Sequence, residues 1–351
     1  MHDLPKNWLV FRLSALGDVV LTTGVLRYWN ATRGWRFRIV TKESFASVFE
    51  NHPAVDSVIV PTQAELAMPE MNAWFSGLAK QHAGCGLLDL HGTIRSRLLA
   101  FHWQGPVRRY AKQGIARRLF LLSGGKLCDA ALRAHNVPQR YALAVEAAPP
   151  VASDVVPYLC LTDAERLWAK SFLANLFSNA ILKNTCGADR GPVAIHPFAA
   201  HSHKAWPADR YRELVARLDV QGIPWIVLGR GGAFFPGNPR DVTDTTSVRE
   251  SAALLASCSA IVTGDSGPMH LATAVGTPVI GLFGPTTREW GFFPSGPHDC
   301  VLEEELLCRP CSLHGKKGCS RNGECLARIE VNTVMAALEE VWSGKAFHNQ
   351  L

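Results

Sequence analysis

The fold is decided by residues 261–286, which read IVTGDSGPMHLATAVGTPVIGLFGPT. A short apolar run leads into a polar turn, a short helical segment and a second apolar run at 279–283. Pro268 suits the first turn of a helix, and Gly276 followed by Pro278 ends it. The pattern predicts a strand, a turn, a helix and a strand. A helix N-terminus and free backbone N–H groups then meet at the turn and favour an anion such as phosphate. A βαβ crossover that binds nothing would have the same general pattern.

The same alternation of strands and helices extends over the rest of the chain. Short apolar runs predict strands over residues 8–13, 38–41, 57–60, 86–90, 193–196 and 225–228. Helical patterns lie at 19–29, 162–177, 208–218 and 248–257. A Pro-rich stretch at 147–157 separates the two series and predicts a linker.

This alternation predicts parallel sheets with helices on both faces. A chain of 351 residues is also too long for one typical core. We therefore expect two α/β domains, one over 1–160 and one over 161–351. The second includes a Cys-rich segment, 300–325, and a final helix at about 332–342.

Composition places the chain among ordinary globular proteins, since 47% of its residues are hydrophobic and 19% are charged. Arg12 and Asp18 interrupt the apolar stretch that a signal peptide would need. Residues 266–287 carry no acid, Lys or Arg, but Gly and Pro divide them into a helix and a strand rather than a membrane span. A cytoplasmic protein without a membrane anchor is expected.

Positive charge is concentrated in one part of the sequence. Between Arg95 and Arg140 the only acid is Asp129, against ten basic residues: Arg95, Arg97, Arg108, Arg109, Lys112, Arg117, Arg118, Lys126, Arg133 and Arg140. The excess predicts a surface that attracts a polyanion. No helix-turn-helix, zinc-finger or RRM pattern accompanies it, which argues against nucleic acid. Two interpretations remain: the stretch attracts a phosphorylated glycolipid at a membrane face, or it is only a solubilising patch.

The ten cysteines fall into two groups. Cys85, Cys128, Cys160, Cys186 and Cys258 are isolated and read as small buried hydrophobic residues. Cys308, Cys311, Cys319 and Cys325 follow Cys300 closely, and could form a structural cluster. Zinc, a disulfide or packed thiols are all open for this cluster, and no metal is assigned to it.

Three stretches together resemble glycosyltransferase family 9, the ADP-heptose:lipopolysaccharide heptosyltransferases. They are FRLSALGDVVL at 11–21, HPFAAHSHKAWPADRYREL at 196–214, and the D-S-G-x-x-H-L-A turn at 265–272 that leads to Gly284-Pro285-Thr286. The resemblance implies the GT-B architecture, two Rossmann-like α/β/α domains whose parallel sheets face each other across a cleft. It also implies an inverting transfer of heptose from ADP-heptose to the inner core of lipopolysaccharide.

The resemblance places the nucleotide-sugar donor on the C-terminal half. Lys204 would neutralise charge on the donor pyrophosphate. Ser266 and the backbone N–H groups of Gly267 and Met269 would contact phosphate, and His270 would organise the site. The complete predicted donor set is Ser202, Lys204, Asp265, Ser266, Gly267, Pro268, Met269 and His270.

The acceptor is placed on the N-terminal half, where Asp18 is the implied catalytic base. Read without the family, an Asp after a Gly turn would more often be a helix N-cap. No D-x-D pair occurs in the sequence, which fits an enzyme that needs neither a metal ion nor another cofactor. The predicted acceptor-binding residues are Ser14, Gly17, Arg95, Arg97, Arg117 and Arg118.

Some positions depart from the family pattern. Ala199 and Ala200 stand where some heptosyltransferases have hydroxyl residues, and Ser202 could substitute for them. The loop at 229–234 has no carboxylate for the ribose hydroxyls. Another nucleotide sugar or acceptor, or sugar-nucleotide binding without turnover, therefore stays open. A dinucleotide-dependent oxidoreductase is disfavoured because Gly229-x-Gly231 lacks the third Gly of that fingerprint.

Overall fold

A computed structural model describes residues 4–177, 190–312 and 319–344. The described chain divides into two compact units, each built on a five-stranded sheet. The first unit comprises the residues up to Lys112 together with Val137–Cys160. The second comprises Gln113–Asn136 and the residues from Leu161 onward. All strand pairings in both sheets are parallel, so the predicted fold class of two parallel-sheet α/β domains is confirmed.

The first unit has the strand order β3-β2-β1-β4-β5. Its strands are β1 (Asn7–Phe11), β2 (Arg36–Val40), β3 (Val55–Ile59), β4 (Gly86–Asp89) and β5 (Val107–Arg109). Its helices are α1 (Leu16–Arg33), α2 (Glu43–Ala46), α3 (Glu70–Gln81), α4 (Ile94–His102) and α7 (Val137–Ala142), with 3-10 turns at Ser47–Phe49 and Ala152–Val155.

Strand β1 lies in the middle of this sheet and is buried from Trp8 to Phe11, as expected for a parallel strand covered on both faces. Phe11 is aligned with Val40 of β2 on one side and with Asp89 of β4 on the other. The carboxyl ends of β1 and β4 are therefore neighbours. The turn that leads to Asp18 and the turn after Asp89 start from the same sheet edge, where open α/β sheets bind their ligands.

The second unit has the strand order β10-β9-β8-β6-β7. Its strands are β6 (Val193–His196), β7 (Trp225–Val227), β8 (Ala260–Gly264), β9 (Val279–Phe283) and β10 (Cys300–Glu303). Its helices are α5 (Gly114–Leu122), α6 (Asp129–Arg133), α8 (Asp163–Leu176), α9 (Ala208–Val220), α10 (Val248–Leu255), α11 (Gly267–Ala274), α12 (Glu324–Ala327) and α13 (Val331–Trp342). Two 3-10 turns lie at Ser202–Lys204 and Arg288–Trp290.

Three neighbouring strands of this sheet carry the segments that the sequence singled out. His196 of β6 is aligned with Thr263 of β8, and Gly264 of β8 with Leu282 of β9. The segments after β6, β8 and β9 therefore leave the sheet side by side. Gly276 adopts a left-handed φ of 81° just after α11, as a helix-ending Gly does.

Residues 113–136 belong by their contacts to the second unit, whereas the sequence predicted one continuous domain over 1–160. Phe120 of α5 and Leu132 of α6 form a buried cluster with Trp290. Arg133 adds an ion pair of 2.7 Å to the buried Glu289. These contacts join positions more than 150 residues apart, so no local pattern could have indicated them.

The Pro-rich stretch at 147–157 is packed on α1 and is not a loose linker. Gly24 of α1 allows this close approach, because a Cβ there would lie 2.3 Å from the carbonyl oxygens of Val155 and Val156. The backbone N–H of Tyr158 donates a hydrogen bond of 2.8 Å to Thr23 Oγ1. The chain visits the second unit over residues 113–136, returns to the first, and leaves the first unit for good after Cys160.

Among the described residues, no helix has the length and apolar character needed to cross a membrane. The long uncharged stretch at 266–287 contains α11 and β9, as predicted, and both elements are buried in the second unit.

Candidate active site

Asp18 lies in the first turn of α1, as the third residue of the helix. Ala15 is the N-cap, and its side chain makes no capping hydrogen bond. The alternative interpretation of Asp18 as an N-cap is therefore wrong. The positive end of the helix dipole stabilises a carboxylate at this position.

Two side chains hold the Asp18 carboxylate. Arg12, which follows β1, forms an ion pair with Oδ2. The hydroxyl of Tyr141, on α7, donates a hydrogen bond of 3.2 Å to Oδ1. The Asp18 side chain is still 25% exposed. The carboxylate is thus fixed in orientation while part of it can be reached from solvent.

Arg12 and Tyr141 keep a defined protonation state in this site. Burial lowers the pKa of the Arg12 guanidinium, but Tyr141 and Asp18 raise it, and the net direction is upward. Arg12 also donates a hydrogen bond of 2.6 Å to the carbonyl oxygen of Leu90. Burial raises the pKa of Tyr141 well above its ordinary value, so its hydroxyl remains a donor at neutral pH.

The turn after β4 adds a histidine that the sequence did not single out as a site residue. Burial lowers the pKa of His91 to about 4, and the positive charges of Arg12 and Lys112 contribute in the same direction. The imidazole is therefore neutral at physiological pH. The His91 ring lies 5.9 Å from the Phe11 ring, and Arg12 bonds the carbonyl oxygen of the preceding residue, Leu90.

Asp89 organises this turn from a fully buried position at the end of β4. Its Oδ1 accepts hydrogen bonds from the backbone N–H groups of His91 (3.1 Å) and Gly92 (2.7 Å). Its Oδ2 accepts from Ser96 Oγ (2.9 Å) and Arg109 Nε (2.7 Å). One carboxylate thereby ties the turn to α4 and β5.

The four arginines of the predicted acceptor set are divided between the two units. Arg95 and Arg97 are exposed on α4 of the first unit, and Arg118 is exposed on α5 of the second. Arg117 donates a hydrogen bond of 3.1 Å to the carbonyl oxygen of Trp290 and lies 5.8 Å from the centres of the Trp290 and Phe292 rings. Arg117 therefore has a structural role in the second unit, which the sequence did not predict.

The second unit brings three predicted segments together around Asp265. Lys204, in the turn after β6, forms an ion pair with Asp265 Oδ2. Thr286, in the G-P-T turn after β9, donates a hydrogen bond of 2.9 Å to the same oxygen. Gly264 favours the close approach of the two segments, since a Cβ there would lie a tight 3.0 Å from the carbonyl oxygen of Lys204. A Lys ammonium has three donors, so this ion pair leaves donors that can face a ligand.

The N-terminus of α11 lies directly after Asp265. Ser266 is the N-cap, but its hydroxyl pairs with Thr263 Oγ1 at 3.0 Å and makes no capping hydrogen bond. Gly267 and Pro268 are the first residues of the helix. Because the Ser266 side chain makes no capping hydrogen bond, it does not occupy the N–H groups of the first turn. This is the arrangement that binds an anion at a helix N-terminus.

Of the remaining predicted donor residues, two are buried and one is exposed. Met269 and His270 are buried in α11, and the His270 ring lies 6.4 Å from the Phe292 ring. These positions fit packing and site organisation. Ser202 is exposed at the start of the 3-10 turn that ends at Lys204.

A carboxylate does lie at the Gly-rich loop after β7, although the loop sequence itself has none. The exposed Asp244 accepts hydrogen bonds from the backbone N–H groups of Gly231 (3.3 Å) and Gly232 (2.8 Å). Gly229 and Gly231 both have φ of 143°, and a Cβ on either would collide with the Phe198 ring. The loop at 229–234 itself has no acid, as the sequence indicated, and Asp244 brings a carboxylate to it from further along the chain.

Arg309 bonds the backbone of the G-P-T turn, a role that the sequence did not predict. Its guanidinium donates hydrogen bonds to the carbonyl oxygens of Gly284 (2.5 Å) and Thr286 (3.3 Å). It also forms an ion pair of 2.5 Å with Glu303. Because Thr286 contacts Asp265, Arg309 indirectly supports the Lys204–Asp265 pair.

The model of glycosyltransferase family 9 (heptosyltransferase) matches residues 80–317. The chain belongs to glycosyltransferase family 9. The match includes the Lys204 segment, the turn at 265–272 and the G-P-T turn.

Two curated relatives within family 9 illustrate the range of similarity. Lipooligosaccharide heptosyltransferase 2 of Haemophilus influenzae is 32% identical over 174 residues, which cover 43% of this chain and 47% of the relative. This family 9 chain thus spans about half the length of that relative. Lipopolysaccharide heptosyltransferase 1 of Pseudomonas aeruginosa is 27% identical over 344 residues, 89% of this chain and 87% of the relative.

Solved structures of family 9 proteins share the fold. A family 9 glycosyltransferase from Veillonella parvula has a TM-score of 0.74 at 20% identity and covers 98% of this chain and 99% of its own. Escherichia coli heptosyltransferase WaaC with ADP has a TM-score of 0.63 at 20% identity and covers 95% and 99%. The likeness confirms the predicted GT-B fold class.

The C-terminal cysteines of this family 9 chain are near one another without being joined. Burial raises the pKa of the Cys311 thiol, and Cys319 and Cys308 contribute. Cys325 is buried in the core, and a Cβ on Gly284 would lie 3.1 Å from its Sγ. The described cysteines are free thiols, and no group of His, Cys, Asp or Glu among the described residues could hold a metal ion. Cys186 lies outside the described residues.

Each unit therefore carries one cluster suited to a distinct chemical task. In the first unit, an oriented carboxylate, Asp18, can accept a proton. In the second, the Lys204 ammonium and the N-terminus of α11 can stabilise negative charge on a phosphate.

Proposed function

We propose that this family 9 chain is an inverting, metal-independent glycosyltransferase that transfers heptose from ADP-heptose to the inner core of lipopolysaccharide. The observation that carries the proposal is the Asp18 carboxylate, oriented by Arg12 and Tyr141 in the first turn of α1. Further support comes from the relatives described above, which are heptosyltransferases by name, and from the ADP bound to WaaC.

In the proposed reaction, Asp18 accepts the proton of an acceptor hydroxyl. The hydroxyl oxygen forms a bond to the anomeric carbon of the heptose from the face opposite the leaving group, which inverts the configuration. The bond between the anomeric carbon and the phosphate oxygen breaks, and ADP leaves. A carboxylate is a weak base, so holding Asp18 in position contributes more to the reaction than its basicity.

Lys204 and the N-terminus of α11 would stabilise the leaving diphosphate. Negative charge increases on the β-phosphate as the glycosidic bond breaks, and a fixed ammonium and helix N-terminus favour this change. The absence of a D-x-D pair from the sequence supports a mechanism in which these groups replace a divalent ion. We propose no other cofactor.

The proposed acceptor is an anionic, phosphorylated glycolipid, which the basic stretch between Arg95 and Arg140 would attract. This assignment implies a cytoplasmic protein in peripheral contact with the inner face of the inner membrane. It also makes the exposed Arg95, Arg97 and Arg118 candidate acceptor contacts. Nucleic acid is not a proposed partner.

A thermal-shift screen with ADP, ADP-heptose, UDP-sugars and NAD tests the donor, because a ligand that binds the native state raises its melting temperature. We expect the largest shift with ADP-heptose and a smaller one with ADP. A larger shift with a UDP-sugar would change the proposed donor, and a shift with NAD alone would favour the oxidoreductase. A shift with ADP-heptose without ADP release in the presence of acceptor would indicate binding without turnover.

A further inference from the structure

Helix α5 exposes a stripe of apolar side chains. Ile115 is 77% exposed, Leu119 40% and Leu122 85%. Their spacing places them within about 60° of one another around the helix. The opposite face is anchored in the protein, because Phe120 is buried in the cluster with Trp290 and Ala116 packs against that cluster. The exposed stripe is therefore not needed to hold α5 in place.

Helix α4 repeats the same spacing in the first unit. Ile94 is 86% exposed and Phe101 84%, while Leu98 between them is half-buried and packs against the core of the unit. The other face is fixed by Leu99 in the core and by Ser96, which bonds Asp89. Single exposed apolar residues are common, but two stripes with identical spacing on successive helices are not explained in this way.

The α5 stripe lies within the basic stretch, and the α4 stripe begins one residue before it, at Ile94. Exposed basic side chains accompany them on and beside the two helices: Arg95, Arg97, Arg118 and Lys126. The one acid of the stretch, Asp129, is paired with Arg133 at 2.7 Å. Apolar side chains beside uncompensated positive charge are typical of helices that lie in the interface of an anionic membrane.

We propose that each unit binds an anionic membrane through one helix of its own, α4 in the first unit and α5 in the second. The apolar stripes enter the headgroup region of an anionic bilayer, and the neighbouring Arg and Lys side chains contact lipid phosphates. These helices would supply the peripheral membrane contact of the proposed function. Membrane binding depends on that function only because the proposed acceptor is a lipid. An acidic protein or a second copy of the chain would also cover apolar residues, but the near absence of acids beside either helix argues against self-association through these faces.

Sedimentation with vesicles tests the proposal. Vesicles of phosphatidylcholine alone are compared with vesicles that also contain phosphatidylglycerol. Two variants remove the stripes: Ile115→Ser/Leu119→Ser/Leu122→Ser and Ile94→Ser/Phe101→Ser. A matched control, Leu167→Ser/Val220→Ser, removes exposed apolar residues outside the basic stretch.

The wild-type chain and the control should bind anionic vesicles and release them at high salt. Each stripe variant should bind on the order of tenfold more weakly, since one helix loses its apolar contribution. Wild-type binding to neither kind of vesicle, or stripe variants that bind like the control, would overturn the proposal. Loss of a dimer rather than of vesicle binding in the variants, measured by analytical ultracentrifugation, would identify a self-association surface instead.

Activity on a soluble, deacylated acceptor separates this inference from the proposed function. The stripe variants should transfer heptose to such an acceptor at the wild-type rate, which also shows that they are folded. Vesicle binding without any transfer by the wild type would refute the proposed function alone. Transfer without vesicle binding would refute the membrane-binding inference alone.

Discussion

The hydroxyl of Tyr141 donates a hydrogen bond of 3.2 Å to Oδ1 of Asp18, across 123 residues of sequence. Tyr141 is fully buried, so the position of the donor is fixed by packing. Arg12 occupies the other carboxylate oxygen. Asp18 is thereby held by two different elements, and this relationship makes it the best candidate for the catalytic base.

Asp18→Asn should lower turnover by a factor on the order of 10² or more, because the amide keeps the shape of the carboxylate but cannot accept the proton. Donor affinity and the melting temperature should change little. Steady-state kinetics measure turnover, calorimetry with ADP measures donor affinity, and thermal unfolding measures the melting temperature. Near-normal turnover in this variant would leave Asp18 with a structural role only.

Tyr141→Phe separates positioning from proton transfer. The ring still fills its place in the core, while Oδ1 of Asp18 loses one hydrogen bond. We expect kcat to fall by roughly tenfold, less than in Asp18→Asn, with KM for the donor unchanged. A Tyr141→Phe enzyme with wild-type kcat would show that the Arg12 ion pair alone orients Asp18.

Lys204→Ala should weaken ADP-heptose binding and slow transfer together, because the charge on the diphosphate grows in the transition state. Asp265→Asn is the matched control, since it removes the ion-pair partner but keeps the ammonium. Its transfer rate should fall less than that of Lys204→Ala. Chelation with EDTA should leave the wild-type rate unchanged, and restoration of a chelated enzyme by a divalent ion would disprove the metal-independent mechanism.

The division of the basic stretch between the two units leads to different expectations for its arginines. Arg95→Gln/Arg97→Gln should raise KM for a phosphorylated acceptor several-fold and make it less dependent on salt, because long-range attraction is screened over about 10 Å at 0.1 M. ADP affinity, measured by calorimetry, should stay the same. A large loss of ADP affinity would place α4 at the nucleotide.

Arg117→Gln should differ from Arg118→Gln. Arg117 bonds the Trp290 carbonyl oxygen, so its loss should lower the free energy of unfolding by about 1 kcal/mol. Arg118 is exposed, and its replacement should change only the acceptor KM. Denaturant unfolding of both variants checks this assignment, and equal stabilities would show that the Arg117 contact contributes nothing to folding.

Acid should destabilise the first unit through His52, whose pKa is lowered to about 4 by burial. The unfolded chain takes up a proton near pH 6.5, and the folded chain only near pH 4, so stability falls as pH decreases through this window. Its Nδ1 accepts the Ala54 N–H at 3.2 Å and its Nε2 contacts the Thr23 carbonyl oxygen at 3.1 Å, which suits one neutral tautomer.

His52→Gln removes this titrating group. We expect the difference in unfolding free energy between pH 7 and pH 5 to shrink by on the order of 1–2 kcal/mol. Denaturant titrations at the two pH values measure it. An unchanged difference would mean that other groups, such as the buried His196 in the second unit, dominate acid sensitivity.

Local sequence patterns were sufficient for much of the fold. The strands Val193–His196 and Val279–Phe283 have the predicted bounds, because a short and mostly apolar run between Gly or Pro residues is typical of a buried strand. Lys204, Asp265 and Thr286 come together because each follows one of the neighbouring strands β6, β8 and β9. The carboxyl ends of neighbouring parallel strands lie at the same edge of the sheet.

The missed features depend on long-range contacts. Tyr141 of α7 bonds Asp18, and Arg309, in the loop after β10, bonds the G-P-T turn. Asp244 bonds the glycine loop from a position more than ten residues further along the chain. Residues 113–136 join the second unit through Trp290. The spacing of apolar residues and the residues of turns do not indicate contacts between distant parts of the sequence.

The most direct test of the account is a transfer assay with the full chain, ADP-heptose and a lipopolysaccharide core acceptor that lacks heptose, in the presence of EDTA. ADP release and the mass of the acceptor are followed in parallel. We expect one ADP released for each heptose added by the wild type, and a rate lower by a factor on the order of 10² or more for Asp18→Asn. No heptose on the acceptor, or equal rates for the two proteins, would contradict it.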